Sequence, residues 1–259
     1  MQAGPDFVCV GAQKAGTQWL YDQLAWHPQF WMPPVKELHY LDQGSFKRHR
    51  RSAAGLRTRA RVGLPLVNAA RQRQSYRPLA ERDLAFLDRY IALLKHEEVD
   101  LEGYAGLFAG KGGDITGDVT PGYSRLDEDA IAAFAARFPD VRILYLARDP
   151  IERVWSHLLM TARRNKSLDG VRFERAMKFA RRPMVRLRCT NTEVIARWRR
   201  HVAADRVGVF LFDDIRDRPA EVRRHILRFL GADPDQASGP LPAGWRASQA
   251  VAYWAPSSK

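Results

Sequence analysis

The sequence predicts an α/β fold built on a largely parallel sheet. Three observations carry that prediction. Strand-sized apolar runs, FVCVG (7–11), VRILYLA (141–147) and VGVFLF (207–212), alternate with segments of helical periodicity. The first run leads directly into a glycine-bearing turn and then a helix. Apolar residues make up 46% and charged residues 27% of 259, which suits a packed core and excludes wholesale disorder.

Each element has a local reason. Phe7–Gly11 reads as a buried strand. Residues 16–27 read as a helix with Trp19, Leu20 and Leu24 on one face, stopped by Pro28. Residues 29–42, with two prolines, are expected to be extended or irregular, and 43–80 to be loop or short helix. Leu84, Leu87, Ile91 and Leu94 recur at helical spacing within 81–97. Residues 114–119 form a candidate strand closed by Thr120-Pro121-Gly122. A helix over 129–138 leads into the strand 141–147, and Arg148-Asp149-Pro150 opens a helix carrying Val154, Leu158 and Leu159. Thr190 and Glu193 have capping-box spacing before a helix with Val194, Ile195, Trp198 and Val202. After the strand 207–212 comes the helix Pro219–Leu230, which Gly231 terminates. The tail from Ala232 reads as irregular. No repeat and no composition shift divides the chain. The expectation is one domain over residues 1–259 with a basic insertion at about 43–80.

The formal charge is +13, and the 42 basic residues comprise 34 Arg and 8 Lys. Residues 43–80 contain ten of them and no acid. Such a block favours an anionic partner, or is simply a solvated face. No apolar run approaches the ~20 residues of a membrane span. The N-terminal residues lack the pattern of a secretory signal. Two cysteines supply neither a disulfide framework nor a zinc site, so a reducing, cytoplasmic setting is expected.

Three clusters carry candidate chemistry. In the first, Phe7–Gly11 runs through Ala12-Gln13-Lys14-Ala15-Gly16-Thr17-Gln18 into a helix. Unsatisfied N–H groups and the dipole at that helix start make an anion site. Gly11 and Gly16 have the spacing of the nucleotide P-loop G-x-x-x-x-G-K-[ST], and Thr17 follows, but the lysine after the second glycine is missing. Lys14 stands inside the loop instead, better placed beside a 5′-phosphate and the oxygen leaving from it. In the second cluster, Glu37 and His39 are two apart and share one side of an extended chain, which suits activation of a hydroxyl. In the third, the strand 141–147 delivers Arg148 at its C-terminal end, with Ser156 about two turns along the next helix. A forked guanidinium and a hydroxyl suit a phosphate. An ion pair of Arg148 or Arg153 with Asp149 or Glu152 is the plainer alternative.

In this order, the three clusters resemble the sulfotransferases that use 3′-phosphoadenosine 5′-phosphosulfate (PAPS), particularly the glycan-type branch of heparan sulfate sulfotransferases and bacterial relatives. Residues 11–20 look like the 5′-phosphosulfate loop, and residues 144–156 like the 3′-phosphate motif. Glu37-Leu-His39-Tyr-Leu-Asp42 is similar to the acidic-residue, histidine and aspartate segment of glycan 3-O-sulfotransferases. Phe229-Leu-Gly231 resembles the late helix-ending signature. Gln18, Asp118-Val119 and Met160 depart from the family pattern.

The resemblance implies a P-loop-like three-layer fold with a central parallel sheet flanked by helices. It implies PAPS as co-substrate, no metal, and in-line sulfuryl transfer to a hydroxyl or amine of a small-molecule or acidic glycan acceptor. Glu37 is the implied base, with His39 as the competing candidate, and Lys14 neutralises the leaving phosphate. Lys14, Ala15, Gly16, Thr17 and Gln18 hold the 5′-phosphate, Arg148 and Ser156 the 3′-phosphate, and His39 with Asp42 the acceptor. The basic segment is a candidate acceptor cleft through Arg57, Arg59 and Arg61. Two rivals stand beside this reading. One is a P-loop kinase or NTPase using Asp213 and Asp214 for Mg²⁺. The other is a non-enzymatic nucleic-acid binder, for which the basic segment has few stacking aromatics (Phe46, Tyr76).

Overall fold

A computed structural model describes residues 4–42, 46–74, 76–96, 98–164, 173–186 and 188–236. Four strands form one parallel sheet: β1 (Phe7–Gly11), β2 (Gly117–Val119), β3 (Arg142–Ala147) and β4 (Val207–Leu211), in the order β2-β1-β3-β4. The register pairs Cys9 with Val119 on one side and with Leu144 on the other, and Ala147 with Leu211. Every residue of β1 is buried, as expected for a central parallel strand covered on both faces. The strands at 7–11 and 207–212 fall where the sequence places them, except that Phe212 already starts a helix. The candidate strand at 114–119 narrows to Gly117–Val119, with Ile115 making a lone bridge to Phe30.

Parallel strands end at the same edge of the sheet. The connections after β1, β2, β3 and β4 therefore gather there. β1 leads through α1 (Thr17–Ala25) toward β2, whereas β3 leads through α6 (Pro150–Arg164) toward β4 on the opposite side. The crevice between the carboxyl ends of β1 and β3 is thus the topological switch point, where open α/β sheets bind ligands.

The basic segment differs from its expectation of loop or short helix. Phe46–Arg73 is a helical stretch, α2, broken by a kink at Gly63 (φ −158°, ψ 68°) with Pro65 just beyond. Arginine and alanine are good helix formers. Ala53, Leu56, Ala60, Leu64 and Val67 recur every three or four residues and pack on the core, a period that the density of charge hides. α2 packs on α3 (Glu81–Leu93). Arg57 binds Asp88 with two bonds (Nε–Oδ1 2.8 Å, Nη2–Oδ2 2.9 Å), so part of the basic charge is neutralised within the fold. Asp83, fully buried, accepts from Trp31 Nε1 (2.9 Å), Arg77 Nη2 (2.6 Å) and Ala80 N (2.7 Å).

α4 (Leu101–Leu107) has no helical signal in its sequence, because two of its seven residues are glycines. Asp100 caps it by accepting from Glu102 N and Gly103 N at 2.9 Å. After α5 (Glu128–Arg137) and α6 come two short helices, α7 (Phe173–Ala180) and α8 (Pro183–Arg186). α9 (Asn191–His201) packs on α5 and starts after Thr190, whose side chain makes no capping bond, so the expected capping box does not form. α10 (Phe212–Asp217) and α11 (Pro219–Leu230) close the fold. Gly231 ends α11 in the left-handed region (φ 83°), with Ala232 N donating to Leu227 O at 2.8 Å. The tail beyond residue 236 lies outside the described residues.

Removing a partner from a buried ion pair strands the other charge. Asp83→Ala is expected to cost about 3–5 kcal/mol in urea unfolding, and Arg57→Ala, at the exposed pair, less than about 1 kcal/mol. Equal losses would show that Asp83 does not tie the α2–α3 connection together.

Candidate active site

The loop from Gly11 to Gly16 is held at both ends. Ala12 N donates to Leu146 O of β3 (2.8 Å), and Ala15 N to Ala12 O (3.2 Å). Gly16 adopts a left-handed conformation (φ 89°), which turns the chain into α1 and leaves the N–H groups of Gly16, Thr17 and Gln18 at the helix opening without intrahelical acceptors. The Gln18 side chain donates along the helix to Asp22 (2.9 Å), so only its backbone faces the loop mouth. Lys14 also has positive φ (72°), and its ammonium lies 3.7 Å from Met160 Sδ on α6. Burial, then the nearby Arg148 and Arg163 charges, lower its pKa from the ordinary lysine value.

The second cluster comes together by a route other than the expected one. Residues 37–39 are not extended, because Glu37 (φ 62°) and His39 (φ 52°) are both left-handed. With Lys14 they are the non-glycine residues of positive φ among the described residues, and such strain concentrates at functional sites. His39 Nε2 lies 3.1 Å from Glu37 Oε2, and Nδ1 lies 3.0 Å from Asp42 Oδ2. Burial opposes a charged ring, but the Asp42 and Glu37 hydrogen bonds outweigh it and raise the His39 pKa to about 9. At neutral pH the ring is an imidazolium donating to both carboxylates. Burial alone would raise the Glu37 pKa. The His39 bond and the Lys36 ammonium overcome it and hold the carboxyl at about 2. Asp42 is buried behind the ring and also accepts from Arg125 Nη2 (3.3 Å), which makes it an orienting group.

A buried network fixes this segment. Asp118, in the middle of β2, accepts from Thr120 Oγ1 (2.6 Å), Tyr123 Oη (2.7 Å) and Tyr104 Oη (3.1 Å). Tyr123 Oη in turn accepts from Tyr40 N at 3.1 Å. The turn after β2 presses so closely on the ion chain that a Cβ on Gly122 would meet Asp42 Oδ2 and approach His39 Cε1 to 2.8 Å.

Lys36, which sequence reasoning passed over, joins the first two clusters. Its Nζ lies 3.1 Å from Glu37 Oε1 and 3.4 Å from Thr17 Oγ1. The lysine beside Glu37 is therefore Lys36, while Lys14 stands at the loop. Its adjacency to Glu37 was the available signal. His49 of α2 is also placed here, its ring centroid 4.9 Å from that of His39. Arg188 Nη1 reaches Gln13 Oε1 (2.6 Å) across the loop, a contact between distant residues with no sequence signal.

The third cluster completes the crevice. Arg148 is 5% exposed, donates from Nη1 to Lys14 O (2.7 Å) and lies over the Phe212 ring at 4.1 Å. It also makes the plainer contact, Nη2 to Glu152 Oε2 at 3.3 Å. Ser156 is buried on the same helix. Arg148 Nε and, on fully buried Arg153, Nη1 have no hydrogen-bond partner among the described residues. The unpaired Arg148 nitrogen, beside the loop that carries Lys14, suits an anionic ligand. Asp213 and Asp214 are instead paired with Arg216 of α10 (2.8 Å) and Arg218 just beyond it (2.6 Å).

The model of the Sulfotransferase family matches residues 5–236. Carbohydrate sulfotransferase 15 of Rattus norvegicus is 31% identical over 169 residues, and that of Homo sapiens 30%. The match covers 64% of this chain and 28% of each relative, so the chain aligns with under a third of their length. Among solved structures, a sulfotransferase from Alicyclobacillus acidocaldarius superposes with a TM-score of 0.59 at 22% identity, covering 92% of this chain and 85% of that one. The sulfotransferase domain of the Synechococcus PCC 7002 olefin synthase gives 0.56 at 20%, covering 92% and 79%. These structures establish the fold.

The ion chain has a pH signature. His39, with its pKa raised from 6.5 to about 9, contributes stability that is complete below pH 6.5 and lost as pH rises through 9. Glu37, lowered from 4.5 to about 2, contributes stability present above pH 4.5 and lost as pH falls through 2. Asp42→Asn is expected to bring the His39 titration, followed by NMR of the ring, down toward its ordinary value. A His39 that titrates near 6.5 in the unsubstituted protein would remove the ion chain.

Proposed function

The chain belongs to the sulfotransferase family, and on that premise we propose that it moves a sulfuryl group from PAPS to a hydroxyl, or an amine, of a glycan acceptor. The observation that carries the reading is the Lys36 ammonium, set between Thr17 of the loop and Glu37 of the acceptor segment. It joins a polyanion site to a carboxylate. The names of the carbohydrate sulfotransferase relatives support a glycan acceptor.

PAPS would supply an activated sulfuryl group on a phosphate leaving group. The residues then divide the work. Loop amides of Ala15, Gly16, Thr17 and Gln18 and the Thr17 hydroxyl hold the 5′-phosphate. Arg148 and Ser156 bind the 3′-phosphate. Lys14 neutralises charge as it develops on the leaving oxygen. Glu37 accepts the proton of the acceptor hydroxyl as the new S–O bond forms and the old one breaks in line. His39, already an imidazolium at neutral pH, orients Glu37 rather than competing for that proton.

A carboxylate held near pKa 2 is a weak base. The arrangement contains its own remedy. When Lys36 turns from Glu37 to an incoming phosphosulfate, the carboxylate loses a cation and its proton affinity rises. In the absence of the donor, the same lysine keeps Glu37 ionised and in place.

Adenosine 3′,5′-bisphosphate is expected to stabilise the protein more than AMP or ATP in thermal unfolding, by about 2.7 kcal/mol at roughly 100 times its Kd. A shift indifferent to the 3′-phosphate would refute the donor assignment. Arg148→Ala should weaken that nucleotide about 10- to 100-fold, the size of one or two lost charge-assisted bonds. Glu37→Gln should abolish turnover while nucleotide affinity, measured by calorimetry, stays nearly unchanged. Loss of binding together with turnover would move Glu37 out of the base role.

A further inference from the structure

The structure points to a second surface, and we propose that the outer face of α2 docks on an anionic lipid membrane. Val62 is 85% exposed, the highest of the exposed large hydrophobic side chains among the described residues, and Leu66, four residues on, is 77% exposed, a value matched by Ile151 on α6. Both lie at the kink created by Gly63 and Pro65, while Ala53 and Ala60 are buried and Leu56, Leu64 and Val67 pack on the core. Pro65 and Ala69 are exposed in the same stretch, and Arg59, Arg61 and Arg73 border it, also exposed. Val62, Leu66 and Arg59 themselves line a groove of about 700 Å³, with Val67, Arg71 and Tyr76 among its other walls. Residues 43–80 carry no acid to oppose a negative partner.

Charge and apolarity together select the occupant. A soluble polyanion would satisfy the arginines and leave Val62 and Leu66 in water. A second copy of the chain would set arginines against arginines across a two-fold axis. An anionic bilayer interface accepts both features, since headgroups meet the guanidinium groups and the apolar side chains reach the acyl boundary. No helix among the described residues is long and apolar enough to cross a membrane, so α2 would lie on the surface. The same helical stretch carries His49 against His39, so α2 links the candidate cleft to the docked face. This inference stands apart from sulfuryl transfer, because binding is read without turnover.

The test uses the full chain and two kinds of vesicle, phosphatidylcholine alone and phosphatidylcholine with about 30% phosphatidylglycerol as the anionic lipid. Co-sedimentation should favour the anionic vesicles at least about tenfold and weaken with added salt. The triple change Arg59→Gln, Arg61→Gln and Arg73→Gln should lower binding about 10- to 100-fold. Val62→Ser with Leu66→Ser, which leaves the charge unchanged, should lower it at least about tenfold, while retention on heparin, a soluble polyanion, is kept. A polarity-sensitive dye on Leu66→Cys should shift to the blue with anionic vesicles alone, which decides the matter even if a variant folds poorly. Absence of lipid preference, binding indifferent to Val62 and Leu66, or a dimer that the two serine substitutions dissociate would each overturn the proposal.

Discussion

An imidazolium held between two carboxylates organises this molecule's working edge. Hydrogen bonds to Asp42 and Glu37 raise the His39 pKa and favour the protonated ring at neutral pH. That arrangement needs a left-handed backbone at Glu37 and His39, a conformation that costs about 1–3 kcal/mol at each residue. The surroundings offset the strain. Asp118 anchors Tyr123, Tyr123 accepts from the Tyr40 amide, and Gly122 allows the neighbouring turn to approach His39. A rigid buried network thus supports a strained and charged surface segment.

The parallel sheet explains why those parts meet at all. Its strands release their connections at one edge, and the two central strands send them in opposite directions. The β1 loop and Arg148 therefore face one crevice, tied by the bond from Arg148 to the Lys14 carbonyl. Positive charge accumulates there without enough acid to neutralise it. Burial and neighbouring cations lower the Lys14 pKa, and the buried Arg148 Nε remains unpaired among the described residues. A site of this kind is incomplete by itself and gains most from a multiply charged anion.

The basic segment divides its charge between structure and surface. Arg57 and Arg77 are spent on Asp88 and Asp83, binding α2 and its connection to α3. Arg59, Arg61 and Arg73 remain outside, around two apolar side chains that the fold does not cover. Net charge alone could not separate these roles, because the acids that pair with Arg57 and Arg77 come later in the chain.

Local sequence determined the strands, most helices and the anion loop. Apolar runs, glycine and proline positions and three-to-four residue spacing act over short distances, and they held for Phe7–Gly11, Pro219–Leu230 and the Gly231 cap. It also placed Glu37, His39 and Asp42 in one segment, although the extended backbone assumed for them was wrong. The same local signals failed at α2, where charge masked the apolar period, and at α4, where glycines lowered the propensity of a helix that packing retains. Only the tertiary structure decided which lysine faces Glu37, that His39 is charged, and that Arg188, His49 and Asp118 belong near the site. Those facts depend on burial and on partners far apart in sequence. Proton affinity and charge pairing are set by the assembled environment, which no spacing pattern encodes.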